Sequence, residues 1–207
     1  MKKIFSILAM AAIVAVSCEK PGNEGTNNGD NGDNGGNTEN TLPEGVSRLF
    51  EDFENDGMLT WASRDGAAFE IADNPSKTGI NTSDKVGKVT AGGAQWEFTY
   101  SSGFGDNGET FDFVNFSEDG YIVKIDVYSP KANSPVYLKF EGVDVPATEI
   151  TTVKTTKANE WETLEFDYEP YSLVDGAYKN FVILFDAGIT TDGGEEFYFD
   201  NVRLCME

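Results

Sequence analysis

Phe197-Tyr198-Phe199-Asp200-Asn201-Val202-Arg203-Leu204 is the stretch on which this chain's fold turns. Phe197 and Phe199 alternate and face one side of a strand. Asp200-Asn201 then intervenes before Val202 and Leu204 resume, so the inward pattern shifts register in mid-strand, as at a β-bulge. A carboxylate stands where a core residue is expected. Far away in sequence, Leu49-Phe50-Glu51-Asp52-Phe53-Glu54 also threads carboxylates between apolar residues. If the two stretches pair, the domain closes on its own ends and acidic side chains converge there, a setting that oxygen-seeking calcium would satisfy.

Between these ends, short alternating segments recur with Gly, Asn, Asp and Pro between them, and no long amphipathic helix interrupts them. Strands are expected at Arg48–Glu54, Ala67–Ala72, Lys85–Thr90, Gln95–Tyr100, Tyr121–Ser129, Val136–Glu141, Ile150–Thr155, Trp161–Tyr168, Asn180–Asp186 and Glu196–Leu204. Val123, Ile125 and Val127 alternate with Lys124 and Asp126. Val136, Leu138 and Phe140 alternate with Tyr137, Lys139 and Glu141. Phe181-Val182-Ile183-Leu184-Phe185 is apolar on both faces and reads as a central strand. The pattern is that of an all-β jelly-roll sandwich spanning residues 46–207 as one domain.

The N-terminus reads differently. Met1-Lys2-Lys3, an apolar run from Ile4 to Val16 and the small residues before Cys18 resemble a bacterial lipoprotein signal, residues 1–17, in which Cys18 is acylated. Residues 18–45 are Gly, Asn and Asp-rich, with almost nothing to bury, and read as a flexible tether reaching roughly 30 Å. Such a chain is expected on the outer membrane of a Gram-negative bacterium, held by its lipid and facing outward. The chain has two cysteines, so acylation of Cys18 leaves Cys205 without an intrachain disulfide. It contains no histidine, which excludes Ser/His/Asp and Cys/His chemistry and histidine-bearing metal sites. A formal net charge of −21 repels nucleic acid and anionic polysaccharides and favours neutral ligands or cations.

Several of these motifs carry a family resemblance. Phe50-Glu51-Asp52-Phe53-Glu54 with Leu59-Thr60-Trp61, Gly93-Ala94-Gln95-Trp96, Tyr121-Ile122-Val123-Lys124-Ile125-Asp126-Val127-Tyr128, Glu160-Trp161-Glu162-Thr163-Leu164 and Phe199-Asp200-Asn201-Val202-Arg203-Leu204 resemble carbohydrate-binding modules of the galactose-binding-like jelly-roll group, families 4 and 11. The resemblance implies a non-catalytic protein that captures a neutral polysaccharide or oligosaccharide, β-glucan-like, for glycan-degrading enzymes or a transporter. It also implies a structural calcium between the first and last strands, with Asp52 or Glu54, Asp200 and the backbone around Lys77 as ligands. On composition alone, Asp52 and Glu54 read instead as the solvated face of a strand whose Phe53 is buried.

A pyranose offers an apolar C–H face and a rim of hydroxyls, so its site combines a flat aromatic ring with polar partners. Trp161 alternates with Thr163, Glu165 and Asp167, opposite Leu164 and Phe166, and is the first candidate ring; a tryptophan capping a sheet edge fits the same pattern. Tyr137, beside Lys139 and Glu141, is the second. Trp96 alternates with Phe98 and Tyr100 and reads as core, whereas Gln95 and Glu97 face the other way, as candidate partners for hydroxyls, with Glu165 beside Trp161. Trp61 reads as a packing residue. Two other readings stay open. Glu165-Phe166-Asp167-Tyr168-Glu169 matches the acid strand of family 16 glycoside hydrolases, where carboxyls about 5 Å apart act as nucleophile and acid/base, although Pro170 ends the strand early. The third reading is a structural or adhesive surface protein without a sugar site.

Overall fold

The computed structural model describes residues 42–54, 59–102, 114–142 and 144–206. The expected signal segment, Cys18 and almost all of the tether lie outside these residues. No helix among the described residues is long and apolar enough to cross a membrane.

The alternating segments form two sheets in which every described pairing is antiparallel. In the first sheet the order is β3 (Ala68–Asp73), β4 (Lys85–Thr90), β11 (Glu196–Cys205), β6 (Ile122–Tyr128) and β9 (Trp161–Asp167), with β1 (Val46–Glu51) also pairing β11. In the second it is β2 (Thr60–Arg64), β5 (Phe98–Ser102), β10 (Tyr178–Phe185), β7 (Val136–Gly142) and β8 (Thr148–Ile150). One short helix, α1 (Phe116–Asp119), precedes β6. The two inner faces share one core that includes Phe50, Phe53, Phe140, Phe166, Phe181, Phe197 and Phe199, each 1% exposed or less. Each such side chain contributes about 1.5–3 kcal/mol by leaving water.

β11 holds the sandwich together. Its first half pairs β4, from Glu196 opposite Thr90 to Phe199 opposite Gly87. Its second half pairs β1, with Leu204 opposite Arg48. The exchange of partners falls at the anticipated register shift, between Asp200 and Arg203, where Asn201 takes φ 50°. The first and last strands therefore do pair. At Gly87 a Cβ would lie 2.7 Å from the Phe53 ring and 2.9 Å from that of Phe199, so only glycine lets the two rings cross over the strand.

Three strand expectations change. β2 was not anticipated. The strand expected at Ile150–Thr155 ends at Ile150. The one expected to start at Gln95 starts at Phe98, leaving Trp96 in the preceding turn. Cys205 is fully buried at the end of β11.

Candidate functional site

β5 inverts the usual rule that apolar residues face inward. Thr99 and Ser101 are fully buried, whereas Phe98 and Tyr100 are only half-buried. The inward hydroxyls are satisfied: Thr99 bonds Ser63 Oγ at 2.9 Å, and Ser101 Oγ accepts the Phe181 N–H at 3.1 Å. Aromatic side chains are thereby left on the face of β5 opposite the buried Thr99 and Ser101.

Cross-strand register arranges that face into rows. Ala62 lies opposite Tyr100, Tyr100 opposite Val182, Val182 opposite Lys139, and Lys139 opposite Glu149. Two residues along, Arg64 is opposite Phe98 and Tyr137 opposite Leu184. Arg64 places its guanidinium 5.5 Å from the centre of the Tyr100 ring, and Lys139 pairs with Glu141 at 2.6 Å. The row thus interleaves ring faces with amine, guanidinium and carboxylate groups.

Trp96 completes this face. It is 53% exposed, and its ring lies 6.4 Å from that of Tyr137 with the planes inclined by 42°. Its position is built from below. Gly188 N–H donates to the Gln95 carbonyl at 2.9 Å, Gln95 Nε2 donates to the Gly188 carbonyl at 3.1 Å, and Thr191 N–H donates to the Gly93 carbonyl at 3.2 Å. Gly188, at φ 81°, lies under the indole, and a Cβ there would sit 3.5 Å from the ring. Glu97 receives the N–H groups of Gly92 at 2.8 Å and Gly93 at 3.3 Å. The indole is held on a turn anchored on both sides, which limits the ordering cost of stacking a ligand on it.

The predicted site residues divide between the two sheets. Tyr137 stands on the aromatic face. Gln95 lies beside it, with its side chain engaged by Gly188. Glu97 is 7% exposed and braces the turn, which corrects its reading as a partner for sugar hydroxyls. Trp161 and Glu165 lie on β9 of the first sheet, remote from that face. Trp161 is on the predicted side of its strand but is 3% exposed: the loop after β3 covers it, and its indole N–H is shared between Ser76 O at 2.9 Å and Asn74 Oδ1 at 3.2 Å. It is closed to a ligand, a correction. Glu165 is exposed and pairs with Lys124 at 3.2 Å. The family 16-like acid strand is incomplete: β9 ends at Asp167, whose Oδ1 accepts the Glu169 N–H at 2.9 Å, and Glu169 lies in the following turn.

Trp96, Phe98, Tyr100 and Arg64, which stand on this face, were not among the expected site residues. The available signal was the Phe-Thr-Tyr-Ser alternation just after Gly92-Gly93, which fits either orientation. Only the demand for a second row of inward hydroxyl partners, Ser63 and the Phe181 N–H, selects the observed one.

The carboxylates expected to hold calcium each receive protein donors. Among the described residues no three His, Cys, Asp or Glu side chains are placed to hold a metal. Asp200 is fully buried and receives Asn81 Nδ2 and Ser83 Oγ, each at 2.7 Å. Glu54 Oε1 receives the N–H groups of Asp84 at 2.8 Å and Lys85 at 3.3 Å, and Asp52 Oδ1 receives that of Glu54 at 3.1 Å. Lys77 directs its ammonium to Asp84 at 2.5 Å.

No family model and no curated protein matches the chain. Among solved structures, it is similar to the family 11 carbohydrate-binding module of a cellulosomal cellulase of Clostridium thermocellum, at 16% identity and a TM-score of 0.47, covering 77% of this chain and 94% of that one. It is similar to a family 22 xylan-binding domain of Paenibacillus barcinonensis, at 14% identity and a TM-score of 0.46, covering 78% and 96%. It is also similar to a family 61 module in complex with β-1,4-galactotriose, at 13% identity and a TM-score of 0.45, covering 77% and 99%.

Proposed function

We propose that this chain is a non-catalytic glycan-binding protein that takes up a neutral polysaccharide, β-glucan-like, on the outer face of its second sheet. The observation that carries this reading is Trp96: a half-exposed indole with no core to fill, fixed over Gly188 and inclined toward Tyr137. An exposed ring held that firmly suits stacking against a pyranose C–H face, and Arg64, Lys139, Glu141 and Glu149 supply donors and acceptors for hydroxyls. The net charge of −21 disfavours acidic glycans.

Isothermal calorimetry and affinity electrophoresis against laminarin, mixed-linkage glucan, xyloglucan, xylan and mannan test it. At least one should retain the protein, with affinity falling about tenfold or more in Trp96→Ala, the scale of truncating an aromatic anchor. Binding to none of them, or binding indifferent to Trp96→Ala and Tyr137→Ala, would refute the assignment and favour a structural or adhesive role.

Placement on the outer membrane through a lipid at Cys18, in support of glycan-degrading enzymes or a transporter, belongs to the same proposal. With two cysteines in the chain, a thioether-linked lipid at Cys18 and an intrachain disulfide at Cys205 are alternatives. Intact mass of the membrane-extracted protein, before and after thiol alkylation, distinguishes them.

A further inference from the structure

The clasp between the first and last strands presents donors where a cation site would present lone pairs. On Asp200, Oδ2 receives Asn81 Nδ2 and Ser83 Oγ at 2.7 Å and Asn201 Nδ2 at 3.2 Å, and Oδ1 receives the Asn201 N–H at 2.8 Å. The Asn81 amide is locked in this sense, because its oxygen already accepts Asn74 Nδ2 at 2.9 Å and the Ser83 N–H at 3.0 Å. The Ser76 carbonyl, a candidate ligand, accepts the Trp161 indole N–H at 2.9 Å and the Thr78 N–H at 2.8 Å. Calcium requires six to eight oxygen lone pairs at about 2.3–2.6 Å. N–H and O–H groups pointing at the carboxylate exclude that shell, and reversing Asn81 to supply an oxygen would break two further buried bonds.

We propose that amide and hydroxyl donors, not a divalent cation, close this clasp. Asn81 takes the bridging role, tying the loop after β3 to β11, and Asn74 and Ser76 extend the same network to Trp161. Closure of this clasp is then independent of calcium. This inference stands on the clasp alone and does not depend on what the aromatic face binds.

The full chain, stripped of metal and verified calcium-free by elemental analysis, should unfold at the same temperature in EDTA and in millimolar calcium, within about 1 °C. A cation site at a hundredfold excess over its Kd would raise Tm by several degrees. Ser83→Ala removes one donor with little change of volume and should lower Tm equally in both buffers. Recovery of Ser83→Ala by calcium, or a calcium-dependent rise in the wild type that Asp200→Asn abolishes, overturns the proposal. A rise that Asp200→Asn leaves intact places the cation elsewhere and upholds it.

Discussion

Two tryptophans exchange the roles that alternation assigns them. Trp161 lies on the polar side of β9, as its spacing requires, but that side is roofed by Asn74–Ser76 and its ring meets Tyr128 at 5.6 Å. Alternation fixes which side of a strand a residue takes; it says nothing of what later covers that side. Trp161→Ala should therefore cost roughly 3–5 kcal/mol of stability, as for other buried aromatic truncations, read from urea unfolding, while the folded variant keeps wild-type affinity for whichever glycan is retained. A loss of affinity at unchanged stability would return Trp161 to the binding site. Trp96 differs because it stands on a turn rather than in a strand, against Gly188, and is 53% exposed. A φ of 81° favours glycine at 188, and the bonds between Gly188 and Gln95 hold the turn that carries the indole.

At the scale of the element, β1 shows how a strand end is secured. Its buried acid is Glu51, not Asp52 or Glu54: it is fully buried, its Oε1 receives the N–H groups of Asp52 at 3.0 Å and Phe53 at 2.9 Å, and its Oε2 receives Leu59 N–H at 2.8 Å and Trp61 Nε1 at 3.1 Å. One carboxylate thus turns the chain out of β1, where Phe53 takes φ 55°, and ties it to β2. Glu51→Gln keeps the volume but sets an NH2 group against N–H donors. It should cost about 1–3 kcal/mol, seen as a lower urea midpoint at an unchanged slope; a wild-type midpoint would contradict the role. β5 carries the complementary lesson. Phe98-Thr99-Tyr100-Ser101 alternates cleanly, so the strand was legible, yet its orientation was not: aromatic-in is the default, and the hydroxyl partners that reverse it come from β2 and β10, distant in sequence.

For the whole molecule, charge sets the working range. Lys131 bonds Asp186 at 2.5 Å and Glu195 at 2.8 Å, pinning the segment whose Thr191 holds the turn of Trp96. Hydrogen bonding from Lys131 holds Glu195 below its ordinary 4.5 against the opposing effect of burial, and the Lys88 and Tyr198 bonds do the same for Glu196. For Lys131, burial works against the charge, but the bonds to Asp186 and Glu195 outweigh it and the ammonium titrates above its ordinary 10.5. A depressed carboxylate contributes stability above its unfolded value that is lost as pH falls through the folded one; a raised lysine contributes below its unfolded value and loses it as pH rises through the folded one. These groups therefore contribute fully between about pH 4.5 and 10.5, and Lys131→Met should flatten part of the loss on both limbs of a urea-midpoint profile. An acid limb identical to wild type would contradict the assignment. The all-β class, the central place of Phe181–Phe185 and the register shift at Asp200 were legible because they follow from periodicity within single segments. Which face is solvent, which tryptophan is exposed, and which donors meet the buried Asp200 were decided only by tertiary structure, because each depends on residues far apart in the chain, such as Asn81 against Asp200 and Gly188 beneath Trp96, whose meeting no local pattern encodes.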